Sequence, residues 1–213
     1  MNKKYEYILL DWDGNLAKTL DIWLDAFRRP LLSRGIEVTD EQIAMSFGQF
    51  KEYLVLWGAK DIEAIEDEAV EIAKKLLPEV ELYPDALEVL NALKQKGKKM
   101  ALITTSTREN VLHLLIKHDL EHFFDAIVAG DDVKQHKPHP ESLEKALLEL
   151  GGTTQEAIMI GDTDKDIGAA NNLGIDSILF YPPEHKKFYD LDKFKSLNPT
   201  YVVSDFKEII SIV

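Results

Sequence analysis

The sequence contains no cysteine, fewer basic than acidic residues and no long apolar segment. Without cysteine, the chain can form no disulfide, thiol nucleophile or cysteine-ligated metal site. Its 25 Lys and Arg against 38 Asp and Glu give a formal net charge of −13 at pH 7, which argues against sequence-independent binding of nucleic acid or anionic membrane. No apolar segment approaches the roughly 20 residues of a membrane span, and no signal-peptide pattern opens the chain. We therefore expect a soluble, cytoplasmic protein without a nucleic-acid or membrane partner.

The chain also has no repeats, low-complexity segments or linkers rich in Pro, Gly and Ser, and its 213 residues suit one core domain with a small insert. Residues 16–82 have a helical pattern throughout, with Thr39 and Gln42 forming a capping box. From Tyr83 onward, short apolar segments alternate with amphipathic helices, which is typical of a parallel sheet covered on both faces. We predict an α/β, Rossmann-like core formed by residues 1–15 and 83–213, and an all-helical insert formed by residues 16–82. The expected strands are residues 7–10, 100–104, 126–129, 157–160, 177–180 and 201–203.

Polar residues collect just past the predicted strands, where open parallel sheets bind their ligands. Carboxylates gathered at one edge repel each other unless a cation is present, and an all-oxygen set suits Mg²⁺. Hydroxyls and a lysine beside such a cation describe a phosphoryl-transfer site, in which an aspartate can attack phosphorus and a second carboxylate can exchange protons. The residues that follow the strands are Asp11, Asp13, Thr104, Thr105, Ser106, Lys137, Asp162 and Asp166.

Four motifs, in this order, resemble those of the haloacid dehalogenase-like hydrolase superfamily. The first is Asp11-Trp12-Asp13-Gly14 after an apolar strand, and the second is Leu102-Ile103-Thr104. The third is the segment from Gly130 to Pro140, which contains Lys137, and the fourth is the segment from Ile160 to Asp166. An Asp-x-Asp-Gly motif alone is a weak signal, whereas all four in order are a strong one.

The resemblance implies a role for each motif residue. Asp11 would be the nucleophile and a Mg²⁺ ligand, and Asp13 the general acid and base, with its backbone carbonyl also on the metal. Thr104, or Thr105 in the alternative register, and Lys137 would hold the phosphoryl oxygens. Asp162 would ligate Mg²⁺, and Asp166 would either orient Lys137 or support the metal.

The helical insert is similar to a C1-type cap, and the chain looks most like the phosphoglycolate phosphatase and β-phosphoglucomutase branch of the superfamily. Gly48-Gln49-Phe50-Lys51 resembles the specificity loop of that cap, in which Lys51 stands about where the mutases have an arginine. Because lysine is a less exacting phosphate clamp than arginine, this favours a phosphatase. Lys18, Gln49 and Lys51 are the candidate substrate contacts of the cap.

The resemblance thus implies a Mg²⁺-dependent phosphatase acting on a small phosphorylated metabolite, such as phosphoglycolate or a sugar phosphate, through an aspartyl-phosphate. A phosphomutase and a non-catalytic phospho-ligand binding protein are the alternatives. The sequence leaves open whether the protein is a monomer or a homodimer.

Overall fold

The computed structural model describes residues 4–47 and 49–213. The strands are β1 (Tyr7–Asp11), β2 (Lys99–Ile103), β3 (Ala126–Val128), β4 (Ala157–Gly161), β5 (Asp176–Phe180) and β6 (Tyr201–Val203). The first five helices are α1 (Leu20–Ser33), α2 (Asp40–Met45), α3 (Phe50–Leu56), α4 (Ile62–Leu76) and α5 (Ala86–Gln95). The others are α6 (Arg108–Lys117), α7 (Glu141–Leu150), α8 (Asp164–Leu173), α9 (Leu191–Lys195) and α10 (Ile209–Ile212). Among the described residues, no helix combines the length and apolar character needed to cross a membrane.

The strands of the described chain form one sheet in the order β3-β2-β1-β4-β5-β6, and all five pairings are parallel. The strand order reverses on either side of β1, whose neighbours are β2 and β4. Such a reversal point in an open α/β sheet is where ligands bind, beyond the carboxyl ends of the strands. The predicted α/β core with a parallel sheet is therefore confirmed.

The chain divides into two compact units. The core unit consists of the residues through Ala17, together with Leu82–Pro183 and Leu191–Val213. One face of its sheet packs against α7 and α8, where Leu143 and Leu147 meet Leu9 and Met159 in a buried apolar cluster. The strands are apolar on both sides because helices cover both faces of a parallel sheet.

The helical unit consists of Lys18–Glu81 and Glu184–Asp190. Its interior is an apolar cluster rich in aromatic rings, in which Phe27 and Phe50 stack with ring centroids 3.8 Å apart. The segment Glu184–Asp190, which our prediction placed in the core, joins this unit because Phe188 is buried in its cluster and Lys187 pairs with Asp21.

Two local predictions, the capping box and the specificity loop, concern the helical insert. The capping box that opens α2 is confirmed, since the backbone N–H of Gln42 donates to Thr39 Oγ1 at 3.2 Å and that of Thr39 donates to Gln42 Oε1 at 2.8 Å. The part of the predicted specificity loop that falls on Gly48 lies outside the described residues.

Candidate active site

Asp11 is the last residue of the central strand β1, and its side chain is buried. The parallel register sets Asp11 beside Ile103, so that the chain leaving β2 begins next to it. The side-chain amide of the buried Asn15 donates to the backbone carbonyl of Asp11 at 3.0 Å. The turn after β1 is thereby bonded back to the strand end, and this fixes the backbone that carries Asp11.

Lys137 brings a buried positive charge to Asp11. Its Nζ lies 2.8 Å from Asp11 Oδ1 and 2.6 Å from Asp166 Oδ1, and the lysine side chain is only 5% exposed. Burial alone would lower the pKa of Lys137, but the carboxylates of Asp11 and Asp166 outweigh burial and raise that pKa above its ordinary value. Lys137 is therefore a cation at neutral pH, although it is buried.

Asp166 lies in the first turn of α8 and uses both carboxylate oxygens within the core unit. Oδ1 accepts from Lys137, while Oδ2 accepts from the backbone N–H of Thr163 at 3.1 Å and from Thr163 Oγ1 at 2.7 Å. Gly161 permits this packing, because a Cβ at that position would lie 2.3 Å from Asp166 Cγ. Of the two roles left open for Asp166, the contact with Lys137 is the one present in this structure.

Asp11, Asp162 and Asp166 form a buried carboxylate cluster in which one oxygen of each lies within 4.8 Å of the others. Burial raises the pKa of Asp11 to about 8, an effect that Lys137 opposes and that Asp166 and Asp13 reinforce. Burial also raises the pKa of Asp162 well above its usual range, and the neighbouring Asp166 and Asp11 add to this increase. A divalent cation with oxygen ligands would relieve the repulsion, so the donor set fits a bound metal ion.

Asp13 faces the hydroxyls that follow β2. Its Oδ2 accepts hydrogen bonds from Ser106 Oγ at 3.1 Å and from Thr104 Oγ1 at 3.4 Å. The backbone N–H of Ser106 also donates to Thr104 Oγ1 at 3.0 Å. The half-buried side chain of Asp13 thus lies among hydroxyls, whereas Asp11 lies against the lysine and the other carboxylates.

The structure separates the two threonines between which the sequence left a choice. Thr104 is buried and its hydroxyl points to Asp13, whereas Thr105 is exposed. The backbone carbonyl of Thr105 is packed against Gly130, where a Cβ would lie 2.2 Å from that oxygen. Thr104 therefore belongs to the group of residues that meets at the strand ends.

The candidate substrate contacts of the cap all belong to the helical unit, and they are Lys18, Gln49 and Lys51. Lys18 lies 3.9 Å from Glu81, and Lys51 lies 3.6 Å from Glu66, so each lysine has an acidic neighbour. Gln49 precedes α3 and is exposed. The residues that the core unit brings together are Asp11, Asp13, Thr104, Lys137, Asp162 and Asp166.

Two residues of the site received no role from the sequence. Ser106 contacts Asp13, and Asn15 bonds the backbone of Asp11. The position of Ser106 after Thr104 and Thr105 marked it as one of the polar residues past β2, but nothing in the sequence distinguished it from an ordinary turn serine. Asn15 directly follows the Asp-x-Asp-Gly motif, and its side chain bonds the turn to the strand end.

Curated relatives of known name match part of the chain. A protein named pyrophosphatase PpaX from Halalkalibacterium halodurans is 36% identical over 135 residues, which are 63% of this chain and 60% of that protein. A protein of the same name from Bacillus cereus is 37% identical over 134 residues, 59% of this chain and 61% of its own length. The matches thus span only about three fifths of these relatives.

Solved structures match nearly the whole chain. A Bacteroides fragilis protein, provisionally described as a haloacid dehalogenase-like hydrolase, has a TM-score of 0.85 and 28% identity, covering 97% of this chain and 100% of its own. A Thermotoga maritima protein, provisionally described as a β-phosphoglucomutase, has a TM-score of 0.76 and 26% identity, covering 97% of each chain. The CbbY protein of Rhodobacter sphaeroides, solved in complex with phosphate, is 23% identical with a TM-score of 0.76 over 96% of each chain and shows the fold alone.

The family comparison covers all the residues that meet at the strand ends. A family model described as haloacid dehalogenase-like hydrolase matches residues 8–180. This match includes β1 from its second residue onward, β2 to β5 and every residue of the carboxylate cluster. The chain therefore belongs to the haloacid dehalogenase-like hydrolase family.

Proposed function

We propose that the protein is a Mg²⁺-dependent phosphatase that hydrolyses a small phosphomonoester through an aspartyl-phosphate on Asp11. The observation that carries this proposal is the buried carboxylate of Asp11, 2.8 Å from the Lys137 ammonium and grouped with two further carboxylates. A nucleophilic carboxylate, a fixed cation and a cation-binding oxygen set are the parts that phosphoryl transfer requires.

The reaction would proceed in two steps that use the same two aspartates. In the first step, a carboxylate oxygen of Asp11 bonds to phosphorus, the bond from phosphorus to the leaving oxygen breaks, and Asp13 gives that oxygen a proton. In the second step, Asp13 takes a proton from water, the water oxygen bonds to phosphorus, and the bond to Asp11 breaks. Inorganic phosphate leaves, and both aspartates return to their starting states.

Lys137 and Thr104 would hold the phosphoryl oxygens during both steps. Lys137 is kept in place by Asp166, which is itself held by Thr163. The Thr104 hydroxyl, which donates to Asp13 in this structure, would donate to a phosphoryl oxygen in the complex. These fixed donors stabilise the charge that spreads over the phosphoryl oxygens in the transition state.

Asp11, Asp162 and the backbone carbonyl of Asp13 would hold the Mg²⁺ ion. When bound, Mg²⁺ supplies positive charge that favours the ionised carboxylates and neutralises the phosphoryl group. Asp166 is less suited to act as a ligand because its oxygens already accept from Lys137 and Thr163. The donor set is chemically right for this ion, since Mg²⁺ binds to a few carboxylates and to substrate phosphate.

The substrate class is a small phosphorylated metabolite. Phosphoglycolate and sugar phosphates follow from the resemblance of the sequence, and the name of the PpaX relatives adds pyrophosphate. We propose that the helical unit selects the substrate, with Lys18, Gln49 and Lys51 as its contacts and Thr105 as a further contact from the core unit. We also retain the expectations of a cytoplasmic protein and of a monomer or homodimer.

A phosphomutase is the second candidate, because the Thermotoga maritima protein of the same fold is provisionally described as a β-phosphoglucomutase. The two functions differ in what reaches the aspartyl-phosphate, which is water in a phosphatase and a sugar hydroxyl in a mutase. A lysine at position 51 favours the phosphatase, since it clamps a distal phosphate less tightly than arginine would. A non-catalytic phospho-ligand binding protein is the third candidate.

The test is a panel of phosphate esters assayed with Mg²⁺ for released phosphate. Its esters are 2-phosphoglycolate, glycerol 2-phosphate, glucose 1-phosphates and p-nitrophenyl phosphate, and the anhydride pyrophosphate is assayed beside them. We expect phosphate release by the wild-type protein, none by Asp11→Asn, and wild-type rates for the control Asp164→Asn, whose side chain is exposed. Formation of glucose 6-phosphate without free phosphate would instead establish a mutase. If no ester reacts, the non-catalytic phospho-ligand binding protein is the remaining candidate.

A further inference from the structure

Ser106 contacts Asp13 through two routes that the proposed function does not use. Its hydroxyl donates directly to Asp13 Oδ2 at 3.1 Å. Its backbone N–H donates to Thr104 Oγ1 at 3.0 Å, and that hydroxyl donates to the same carboxylate oxygen at 3.4 Å. A single residue therefore bonds both Asp13 and the threonine beside it.

The two hydroxyls on Asp13 cannot both stay there during the reaction. A threonine hydroxyl has one proton, and once Thr104 donates it to a phosphoryl oxygen it no longer donates to Asp13. The backbone N–H of Ser106 still bonds the Thr104 oxygen, which leaves the Thr104 proton for the phosphoryl group. The proposed function assigns the hydroxyl of Ser106 to no phosphoryl oxygen, so this hydroxyl can keep its bond to Asp13 throughout.

The bond from Ser106 also distinguishes the two oxygens of Asp13. Oδ2 is the oxygen that accepts both hydroxyls. An oxygen that accepts hydrogen bonds is best left without a proton, so the proton that Asp13 exchanges belongs on Oδ1. Holding Oδ2 fixes the rotation of the carboxyl group and hence the direction in which Oδ1 points.

We propose that Ser106 is a positioning residue that holds Asp13 Oδ2, so that Asp13 Oδ1 delivers the proton to the leaving oxygen and later takes one from water. This inference rests on the proposed function, because it assigns Ser106 a role only if Asp13 is the general acid and base. In the first step the bond from phosphorus to the leaving oxygen breaks as Asp11 bonds to phosphorus, and the proton on Oδ1 moves to the leaving oxygen. In the second step a water proton returns to Oδ1.

A purely structural role for the same hydrogen bond would have a different signature. If Ser106 merely supported the turn after β2, its loss would slow the enzyme equally for every substrate. If Ser106 positions a proton donor, its loss should matter only where the leaving group needs a proton. An alkoxide must be protonated as it leaves, whereas p-nitrophenolate is stable as an anion at neutral pH.

The experiment measures kcat/KM of wild type and Ser106→Ala with p-nitrophenyl phosphate and with the most efficient alkyl phosphomonoester of the panel, both with Mg²⁺. Since a general acid contributes 10²–10⁴-fold and Ser106 only orients it, we expect about a tenfold loss with the alkyl ester. With p-nitrophenyl phosphate we expect a change below about twofold. Ser106→Thr should restore most of the alkyl activity because it keeps the hydroxyl. Thr107→Ala is the matched control, since its exposed side chain caps no backbone group of α6.

A double-mutant cycle with Asp13→Asn tests the coupling directly. In the Asp13→Asn background, Ser106→Ala should cost no further activity with the alkyl ester, because the group that it positions has lost its acid function. If Ser106→Ala does not fold, as judged by circular dichroism, Ser106→Cys takes its place, since a thiol is a weak donor of similar size.

The outcomes separate this inference from the proposed function. A wild-type protein that releases phosphate, combined with equal losses for both substrates or with additive losses in the Asp13→Asn background, overturns the role of Ser106 alone. A wild-type protein that releases no phosphate from any alkyl ester overturns the proposed function, and the role of Ser106 with it.

Discussion

The core unit and the helical unit differ in whether their grouped charged side chains are buried or exposed. In the core unit, Lys137 and three carboxylates are buried and either bonded to each other or held within 4.8 Å. In the helical unit, charged residues form exposed or half-exposed pairs such as Arg34–Glu68, and the interior is a cluster of aromatic and aliphatic side chains. The core unit thus buries a group of ionisable side chains, whereas the buried cluster of the helical unit consists of aromatic and aliphatic side chains.

The difference shows which groups are present for stability and which for chemistry. Buried ions cost several kcal/mol each in desolvation, and replacing them with apolar groups is often neutral or stabilising. Stacked and packed aromatic rings, by contrast, contribute both burial and ring contacts. We therefore attribute the buried group of carboxylates around one lysine to the proposed catalysis, and the interior of the helical unit to folding.

Of the substitutions that test this contrast, removal of the buried lysine should have the largest effect on both stability and rate. Lys137→Ala leaves Asp11 and Asp166 buried without their cation, which we expect to cost about 3–5 kcal/mol in the free energy of unfolding without Mg²⁺. The rate of phosphate release should fall by about 10³-fold, because the fixed cation on the phosphoryl group is lost. Denaturant unfolding and steady-state kinetics measure the two effects.

The matched control is Lys134→Ala, an exposed lysine of the same loop. It should change the free energy of unfolding by less than about 0.5 kcal/mol and leave the rate unchanged. Equal effects of the two substitutions would show that the charge of Lys137 contributes no more to stability and rate than that of an exposed lysine.

Removing an aromatic ring from the helical unit should lower the stability of the protein without changing the chemistry of Asp11. Phe27→Ala removes a ring that stacks on Phe50 at 3.8 Å, and we expect it to cost about 3–5 kcal/mol in the free energy of unfolding. Leu32→Ala on the same helix is the control, since that side chain is 57% exposed. Under conditions where Phe27→Ala remains folded, mixing it with p-nitrophenyl phosphate and Mg²⁺ should still give a burst of p-nitrophenol. The absence of that burst would contradict the assignment of the chemistry to the core unit.

Neutralising one carboxylate of the cluster should stabilise the metal-free protein. Asp162→Asn replaces a buried carboxyl group, whose pKa is raised by burial, Asp166 and Asp11, with a side chain that cannot ionise, and we expect about 1 kcal/mol more stability at pH 8. Because the folded-state pKa lies above the unfolded value, the contribution of Asp162 to stability is fully present below the unfolded pKa. It is lost as the pH rises through the folded-state pKa.

The pH dependence and the response to Mg²⁺ check this prediction together. Wild-type stability without metal should fall as the pH is raised from about 5 to 8, the upper end of which is set by the pKa of about 8 for Asp11. Asp162→Asn should show a smaller fall and should lose most of the thermal stabilisation by Mg²⁺ seen in the wild type. An unchanged response to Mg²⁺ would exclude Asp162 as a ligand.

The smallest effect is expected at an exposed lysine of the helical unit. Lys51→Ala should raise KM by about threefold for substrates with a second anionic group and leave kcat unchanged, because an exposed charge contributes little. Lys60→Ala, another exposed lysine of this unit, is the control. Equal KM values for the two variants would remove Lys51 from the substrate contacts.

Much of the core unit could be predicted from the sequence because its signals are local. Short apolar segments that alternate with amphipathic helices specify the parallel sheet, and polar residues directly past the strands specify the position of the site. Asp11 follows its strand immediately, so its location needs only the strand and the topology. The helical unit was likewise evident from its uniform helical pattern.

The missed features depend on contacts that are distant in the sequence or on the path of the chain past a strand. Nothing in the segment Glu184–Asp190 shows that Phe188 will pack into a cluster formed by residues more than a hundred positions earlier. The choice between Thr104 and Thr105, and the contact of Ser106 with Asp13, depend on how the backbone turns after β2. Side-chain directions beyond the last paired residue of a strand do not follow the alternation within it.

The most direct test of the account is to trap the phosphorylated enzyme. The wild-type protein is mixed with p-nitrophenyl phosphate and Mg²⁺, quenched in acid within one turnover and digested, and the phosphorylated peptide is identified by mass spectrometry. We expect an acid-stable, hydroxylamine-sensitive phosphoryl group on Asp11, which disappears in Asp11→Asn. Sustained phosphate release by Asp11→Asn, or turnover by the wild type with the phosphoryl group on another residue, would contradict the account.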